Sequence, residues 1–408
     1  MNAGDTAFVL VCAALVLLMT PALAFFYGGM VRRKNVLSML MQCMFIVCLV
    51  SVQWVAYGYS LSFGSGSGFI GGLQWAGLGG VDGAPYAFYS ATIPHQAFMI
   101  FQAMFAIITP ALIIGAFAER MKFSAFAIFM LLWSTFVYDP IAHWVWGEGG
   151  WLRNMGVLDF AGGTVVHINA GVAALVCALI LGKRRGYCGT AAPPHNLPFT
   201  VLGAGLLWFG WFGFNSGSAL SASGLAATAF VVTNTAAAAA GLAWALMDWI
   251  FHEKPTLFGV ATGAVAGLVA ITPAAGYVTP LASIFIGAIV SVVCWLAITK
   301  LKSRLGYDDT LDAFGVHGIG GIWGALATGL FATRAVNDAG GDGLFRDNPA
   351  QLLTQGIAVG ATIAYSAVAT FVILKVIDAI VGLRVSEREE AIGLDLTQHR
   401  EAGYTVLE

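Results

Sequence analysis

Eleven apolar stretches, most of them about 20 residues or longer, leave this chain few ways to fold. They run roughly over Thr6 to Tyr27, Val36 to Phe63, Gln96 to Ala118, Phe123 to His143, Phe160 to Gly182, Leu197 to Gly217, Leu225 to Phe251, Leu257 to Thr272, Leu281 to Leu301, Asp312 to Thr333 and Gln351 to Val381. Each can cross a hydrocarbon layer of about 30 Å as a helix, with the eighth the shortest. The chain is 59% hydrophobic and 10% charged, so it has too few charges to cover a water-facing surface of this length. The expected fold is an all-α polytopic membrane protein.

Charge sets the direction of the helices. With the first helix running from outside to inside, inner segments hold fifteen Lys and Arg residues, from Arg32, Arg33 and Lys34 to Arg400, and outer ones only Arg153, Arg334 and Arg346. That bias obeys the positive-inside rule and puts the N-terminus outside and the C-terminus in the cytoplasm. Asp5 precedes the first stretch and its basic residues follow it, so the first helix reads as retained and not as a cleaved signal. Residues 1–385 form the expected membrane domain, with repeats over about 6–182 and 197–333 and an eleventh helix over about 351–381. Residues 386–408 form the expected cytoplasmic tail. The eleventh stretch is long enough to require a strong tilt, as a strap around the bundle.

Two histidines lie where hydrocarbon alone is expected. Val166-His167-Ile168-Asn169-Ala170-Gly171 is answered 150 residues on by Val316-His317-Gly318-Ile319-Gly320-Gly321. Five helices per half is an odd number, so the halves enter the membrane from opposite sides as inverted repeats. Each histidine sits about 10–12 Å into its helix, near the midplane. A lone buried histidine is usually a satisfied core residue, but two at matched depth point to a shared site.

The six cysteines form no Cys-x-x-Cys pair and sit mostly in apolar stretches, which speaks for packing rather than for a metal or disulfides. Neither His-x-x-x-His nor His-Glu-x-x-His occurs, so an intramembrane metalloenzyme is not expected, nor is any cofactor. A net charge of −2 without a basic block excludes nucleic acid as a partner. The glycines at 259, 263, 267, 320 and 324 are spaced for close helix packing.

Aromatic residues collect toward the outer mouth: Phe101 and Phe105 in helix three, Tyr138 and Trp146 in and after helix four, Trp211 and Phe214 near Ser218 at the end of helix six. Ring faces beside a hydroxyl suit a small cation losing water. The residues alone fit an interfacial aromatic belt as well. His95 and His143, at outer helix ends, read as packing or surface residues.

Phe26-Tyr27-Gly28-Gly29, Gly115 to Arg120, Ala142 to Trp146, Asp159 to His167, Trp211 to Asn215, Phe314 to His317 and Gly382 to Val385 together resemble the bacterial ammonium transporter (Amt) family. The resemblance runs from about residue 5 to about residue 404. It implies eleven helices in a five-plus-five inverted repeat, and a homotrimer with one pore per subunit in the bacterial inner membrane. It implies an external ammonium site of Trp146, Phe101, Phe105 and Ser218 near Asp159, a Phe105–Phe214 gate, and a pore lined by His167 and His317. Asp312 is implied as the acid supporting the second histidine helix, although Asp159 on its own residues reads as a helix cap. A cytoplasmic PII-type regulator is the implied partner, with membrane lipid around the bundle.

Three features depart from that pattern. Glu148 replaces an expected glycine, and with Asp139 it either raises the negative potential of the outer mouth or pairs with Arg153. Gln398-His399-Arg400-Glu401 replaces His-Gly-Glu, which puts the usual tail contact in doubt. Leu407-Glu408 resembles a cloning remnant, which leaves open a sensor whose fused signalling domain lay beyond it. An ammonia-only channel of the Rhesus type is a further alternative.

Overall fold

A computed structural model describes residues 1–187 and 193–404. Cys188 and Leu407-Glu408 lie outside the described residues. The spanning helices, in chain order, are α1 (Ala3–Met30), α2 (Arg33–Phe63), α3 (His95–Phe117), α4 (Phe123–Asn154), α5 (Gly163–Leu181), α6 (Leu197–Gly217), α7 (Gly224–His252), α8 (Leu257–Ile271), α9 (Pro280–Leu305), α10 (Phe314–Phe331) and α11 (Pro349–Val381). Ten are long and apolar enough to cross a membrane, and α8, at 15 residues, is the short one. Strands are absent from the described residues, where the only ladder-type contacts are two isolated bridges.

Glycine seams set how closely the helices pack. Added Cβ atoms at Gly203, Gly210, Gly213 and Gly217 of α6 would meet Phe26, Met19, Leu15 and Cys12 of α1, so these helices touch backbone to backbone. Gly263 and Gly267 likewise face Trp244, Ala240 and Ala236 of α7, and Gly324 faces Ala270 of α8. The glycine spacing in the sequence thus marks real contact lines.

The tightest seam joins α5 to α10. A Cβ on Gly171 would overlap the backbone of Gly318, while one on Gly321 would come to 3.0 Å from the backbone nitrogen of Ile168. In the 150-residue offset Gly171 corresponds to Gly321, and Ile168 to Gly318. Each contact is therefore the image of the other, the pattern of a local two-fold axis.

Helix α11 crosses the bundle as a strap. Its Gln355 amide donates to the carbonyls of Leu158 (2.8 Å) and Ala325 (3.1 Å) and accepts from the Leu158 amide at 2.9 Å. Further along, Ser366 reaches Asn169 O at 2.9 Å and Thr370 accepts from the Trp133 indole at 3.1 Å. Few other polar groups hold it, which fits a helix packed mainly through its apolar side.

Beyond α11 the tail folds back under the bundle as α12 (Glu387–Ile392) and α13 (Leu394–His399). The Asp395 carboxylate accepts from the amides of Leu37 (3.1 Å) and Ser38 (2.8 Å), and Asn35 Oδ1 accepts from the Leu394 amide at 2.8 Å. Gln398 accepts from the Phe123 amide at 3.1 Å, and the His399 ring packs edge-on against Phe123. Despite the altered tail sequence, the tail is held against the bundle through Asp395, Leu394 and Gln398. Arg400 occupies a left-handed backbone position (φ +58°), which explains why glycine suits that place.

Two outcomes follow from these contacts. Gly171→Ala should lower stability by about 1–3 kcal/mol through overpacking, read as a fall in melting temperature, whereas Gly205→Ala, with nothing within 4 Å of its Cβ position, should not. Asp395→Ala removes the acceptor from the start of α2 and should cost that contact about 1–2 kcal/mol, seen as faster hydrogen exchange in α13.

Candidate functional site

Both histidine helices begin with an acid and a widened turn. The Asp159 carboxylate accepts from the amides of Gly162 (2.8 Å), Gly163 (2.6 Å), Thr164 (2.8 Å) and Val165 (3.3 Å), and from the Thr164 hydroxyl. These are the orphan donors of a helix start. At the matching offset Asp309 accepts from Ala313 (3.1 Å) and Phe314 (2.8 Å). Gly162 (φ +114°) and Asp312 (φ +59°), again 150 apart, make the same left-handed entry.

The first turns that follow are π-helical, over Gly163–Ile168 and Phe314–Gly318. Such wide turns are uncommon and concentrate at functional sites. Each carries its histidine. With the glycine seam drawing the backbones together, the His167 and His317 rings lie nearly parallel, 14° apart, with centroids separated by 5.4 Å.

The imidazoles sit in the middle of a line of cavities. At one end a cavity of about 690 Å3 is lined by Phe105, Trp146, Asp159, Ser218 and Gln102, among others. The Trp146 indole donates to Asp159 O at 2.9 Å, which fixes the ring edge-on to Phe105 at 5.9 Å. Ser218 spends its proton on Phe214 O at 2.9 Å, leaving its lone pairs as acceptors.

Phe105 and Phe214 stack at 4.2 Å and close the floor of that cavity. Below them lies a cavity of about 10 Å3, room for about one water-sized molecule. Its walls are Phe214, Trp211, both histidines and aliphatic side chains such as Leu23, Ile108 and Val265. Trp211 stacks on His167 at 5.4 Å and anchors its indole to Thr272 Oγ1 at 2.8 Å. His317 also lines a third cavity of about 20 Å3, which it shares with Asp312, Tyr27 and Thr262.

The structure thus gathers Trp146, Phe105, Ser218, Asp159, Phe214, Trp211, His167 and His317 along one path, and it moves other expected residues away. Phe101 is buried behind Phe105, against Gly217, and does not line the outer cavity. Tyr138 is fully buried beside Trp54, inside α4 and away from the mouth. The carboxylate that caps the second histidine helix is that of Asp309; the Asp312 carbonyl accepts from the Val316 amide at 2.9 Å, and its carboxylate takes Lys302 Nζ at 2.6 Å. Burial pushes the Asp309 carboxyl up to about 6, with the nearby Lys302 ammonium pulling it down.

The two departing acids also need correction. Asp139 is fully buried, accepts from Gln53 (2.8 Å) and Ser62 (3.0 Å), and does not line the Trp146 cavity. Glu148 takes the Tyr86 hydroxyl at 2.7 Å, while Arg153 donates to Trp146 O and lies over Phe88. Neither acid pairs with Arg153 among the described residues. His95 and His143 are packing residues, bonded to Tyr59 and to the carbonyls of Ser62 and Ser67.

Gln102 and Asp309 were missed. A glutamine among the apolar residues of α3 was one available signal, and carrying the 150-residue offset back from His167 to Asp159 was the other. Within the bore, both nitrogens of His167 and Nδ1 of His317 are buried without a hydrogen-bond partner among the described residues. Buried polar atoms mostly find a partner, so these three stand out along the line of cavities.

A family model described as Ammonium Transporter Family matches residues 7–404. An ammonium transporter of Bacillus subtilis is 57% identical over 404 residues, covering 99% of each chain. The crystal structure of Candida albicans Mep2 superposes with a TM-score of 0.90 at 39% identity, covering 95% of this chain and 88% of that one. A solved structure described as a sensor Amt protein gives 0.88 at 29% identity, covering 97% and 98%.

Asp159→Ala leaves several buried amides without an acceptor and should destabilise the protein by about 2 kcal/mol or more. Asp159→Asn keeps one oxygen and should retain more of the fold. Thermal unfolding of the detergent-solubilised protein compares the two, and equal melting temperatures for wild type and Asp159→Ala would contradict the capping role.

Proposed function

This chain belongs to the ammonium transporter family, and from that premise we propose how its own residues carry out transport. It is a multi-pass membrane protein, and its family relatives are transporters rather than enzymes. Ammonium collects in the cavity bounded by Trp146, Phe105 and Ser218, where ring faces and hydroxyl lone pairs replace part of its water. It releases its proton on passing the Phe105–Phe214 stack, either to water of the Trp146 cavity, where the proton stays behind, or to the imidazole pair, which carries it separately from ammonia. Ammonia then crosses the bore, bonding in turn to His167 and His317.

The observation that carries this reading is the bore itself. It has room for about one water-sized molecule, apolar walls, and three imidazole nitrogens without partners. A charged group at membrane depth costs at least about 2.5–3.5 kcal/mol, and an ion stripped of its whole hydration shell would cost more. Neutral ammonia escapes most of that penalty. A neutral imidazole suits the task because one ring nitrogen donates a hydrogen bond and the other accepts one.

We take the native unit to be a homotrimer with one pore per subunit, in a bacterial inner membrane with the Trp146 cavity facing outward. The charge bias supports that orientation, and the family supports the assembly. The basic inner loops around Lys183 to Arg185 and Lys300 to Arg304 offer a PII-type regulator its surface. The sensor is the other reading, but 57% identity to a transporter against 29% to the sensor protein favours conduction.

Reconstitution in liposomes tests the proposal. An inward ammonium gradient should drive flux and an internal pH change in wild type, and His167→Ala with His317→Ala should abolish or strongly reduce selective flux. Full, ammonium-selective flux in that double variant would remove the imidazoles from the mechanism. Binding without any flux in wild type would turn the assignment to a receptor.

A further inference from the structure

The Trp146 cavity is far larger than an ammonium ion needs. It encloses about 690 Å3, against about 10 Å3 in the bore beneath the Phe105–Phe214 stack. Pockets of about 300–1,000 Å3 are the size that takes small organic molecules, mostly on apolar walls with a few polar groups to orient them. Phe63, Phe98, Phe160 and Tyr277 supply such walls, adding their ring surface to that of Phe105 and Trp146.

The charge lining that cavity is one-sided. Arg153 and Arg334 both line it, and neither has an ion pair among the described residues. The Arg153 guanidinium donates to Trp146 O and lies 4.5 Å over the Phe88 ring, while Arg334 gives its Nε–H to Gly340 O at 3.2 Å. Each is held in place with further N–H groups unbonded among the described residues. Asp342 takes the backbone amide of Arg334 and not its guanidinium. Asp159 is the one acid lining the cavity among the described residues, and its carboxylate is spent on five donors of its own helix start.

We propose that this cavity also binds a zwitterionic amino acid with an apolar side chain, its ammonium group at Trp146 and Ser218 and its carboxylate toward Arg153 and Arg334. The inference rests on reading Trp146 and Ser218 as the place where a cation is received. A planar guanidinium is the natural partner of a carboxylate. An organic amine without a carboxylate would leave both guanidinium groups unbalanced beside it, and a carboxylate without an amine would leave the indole face and the Ser218 lone pairs unused. Trp146 joins the two ends of the site, because its ring faces the cation position while its carbonyl holds Arg153.

Such a ligand stays where it binds. The bore has room for about one water-sized molecule, so an amino acid cannot follow ammonia past the stacked rings. It competes with ammonium for the same ring face and hydroxyl. Its presence therefore raises the ammonium concentration needed for half-maximal flux and leaves the maximal flux unchanged.

Calorimetric titration of the full chain in detergent at neutral pH tests the site with phenylalanine, phenethylamine and 3-phenylpropanoate, which share a ring and differ in charge. Phenylalanine should bind tightest and be displaced by ammonium chloride. Arg153→Gln and Arg334→Gln should each weaken phenylalanine about fivefold without weakening phenethylamine, a selectivity that general damage to the fold would not produce, and the two lysine variants should retain most of the affinity. Phenylalanine binding no tighter than both of its fragments, unchanged in both glutamine variants, or indifferent to ammonium chloride would overturn the proposal. The titration requires no flux, so a wild-type chain that fails to conduct ammonium sinks the transport reading while the binding data decide this one.

Discussion

Everything along the line of cavities depends on two helices crossing with no side chain between them. Gly171 lies on the backbone of Gly318, and Gly321 on that of Ile168, so α5 and α10 approach closely enough for their imidazoles to face each other at 5.4 Å. A methyl group at Gly171 would force the backbones apart, and one at Gly321 would press its neighbours back, because tightly packed interiors do not absorb even one extra carbon easily. The π-helical turns and acid caps then fix where along each helix the histidine falls. The contact is reciprocal, so one geometric solution serves both halves of the chain.

That solution leaves polar atoms stranded. Three imidazole nitrogens are buried without partners among the described residues. The fold sustains this because the rings are locked by their neighbours: Trp211 stacks on His167 and is itself tied to Thr272, while Phe214 closes the bore from above. The walls around them are apolar, with Leu23, Ile108 and Val265 among them.

The two halves share a plan and diverge where function differs. Asp159 gathers five donors and lends its carbonyl to Trp146, so the cap of one histidine helix also orients the ring at the wide outer cavity. Asp309 gathers two and leaves the left-handed position after it to Asp312, whose carboxylate holds Lys302 beside the narrow third cavity. One end is broad and lined by aromatic and hydroxyl groups. The other is tight and flanked by an ion pair.

Composition and hydrophobic runs determined the helical membrane fold, its eleven elements and most of their limits to within a few residues, because hydrocarbon requires every backbone group to be satisfied within its own helix. The paired histidine motifs likewise announced a shared site, and the glycine spacing its packing lines. Phe101, Tyr138, Asp139 and Glu148 could not be placed in advance, since neighbours in sequence near a helix end point in different directions around the axis. Asp309 was within reach through the repeat, whereas the family resemblance pointed to Asp312. Only the tertiary structure decided which rings stack, which acid caps and how narrow the bore becomes, because those depend on distances between helices that no single helix encodes.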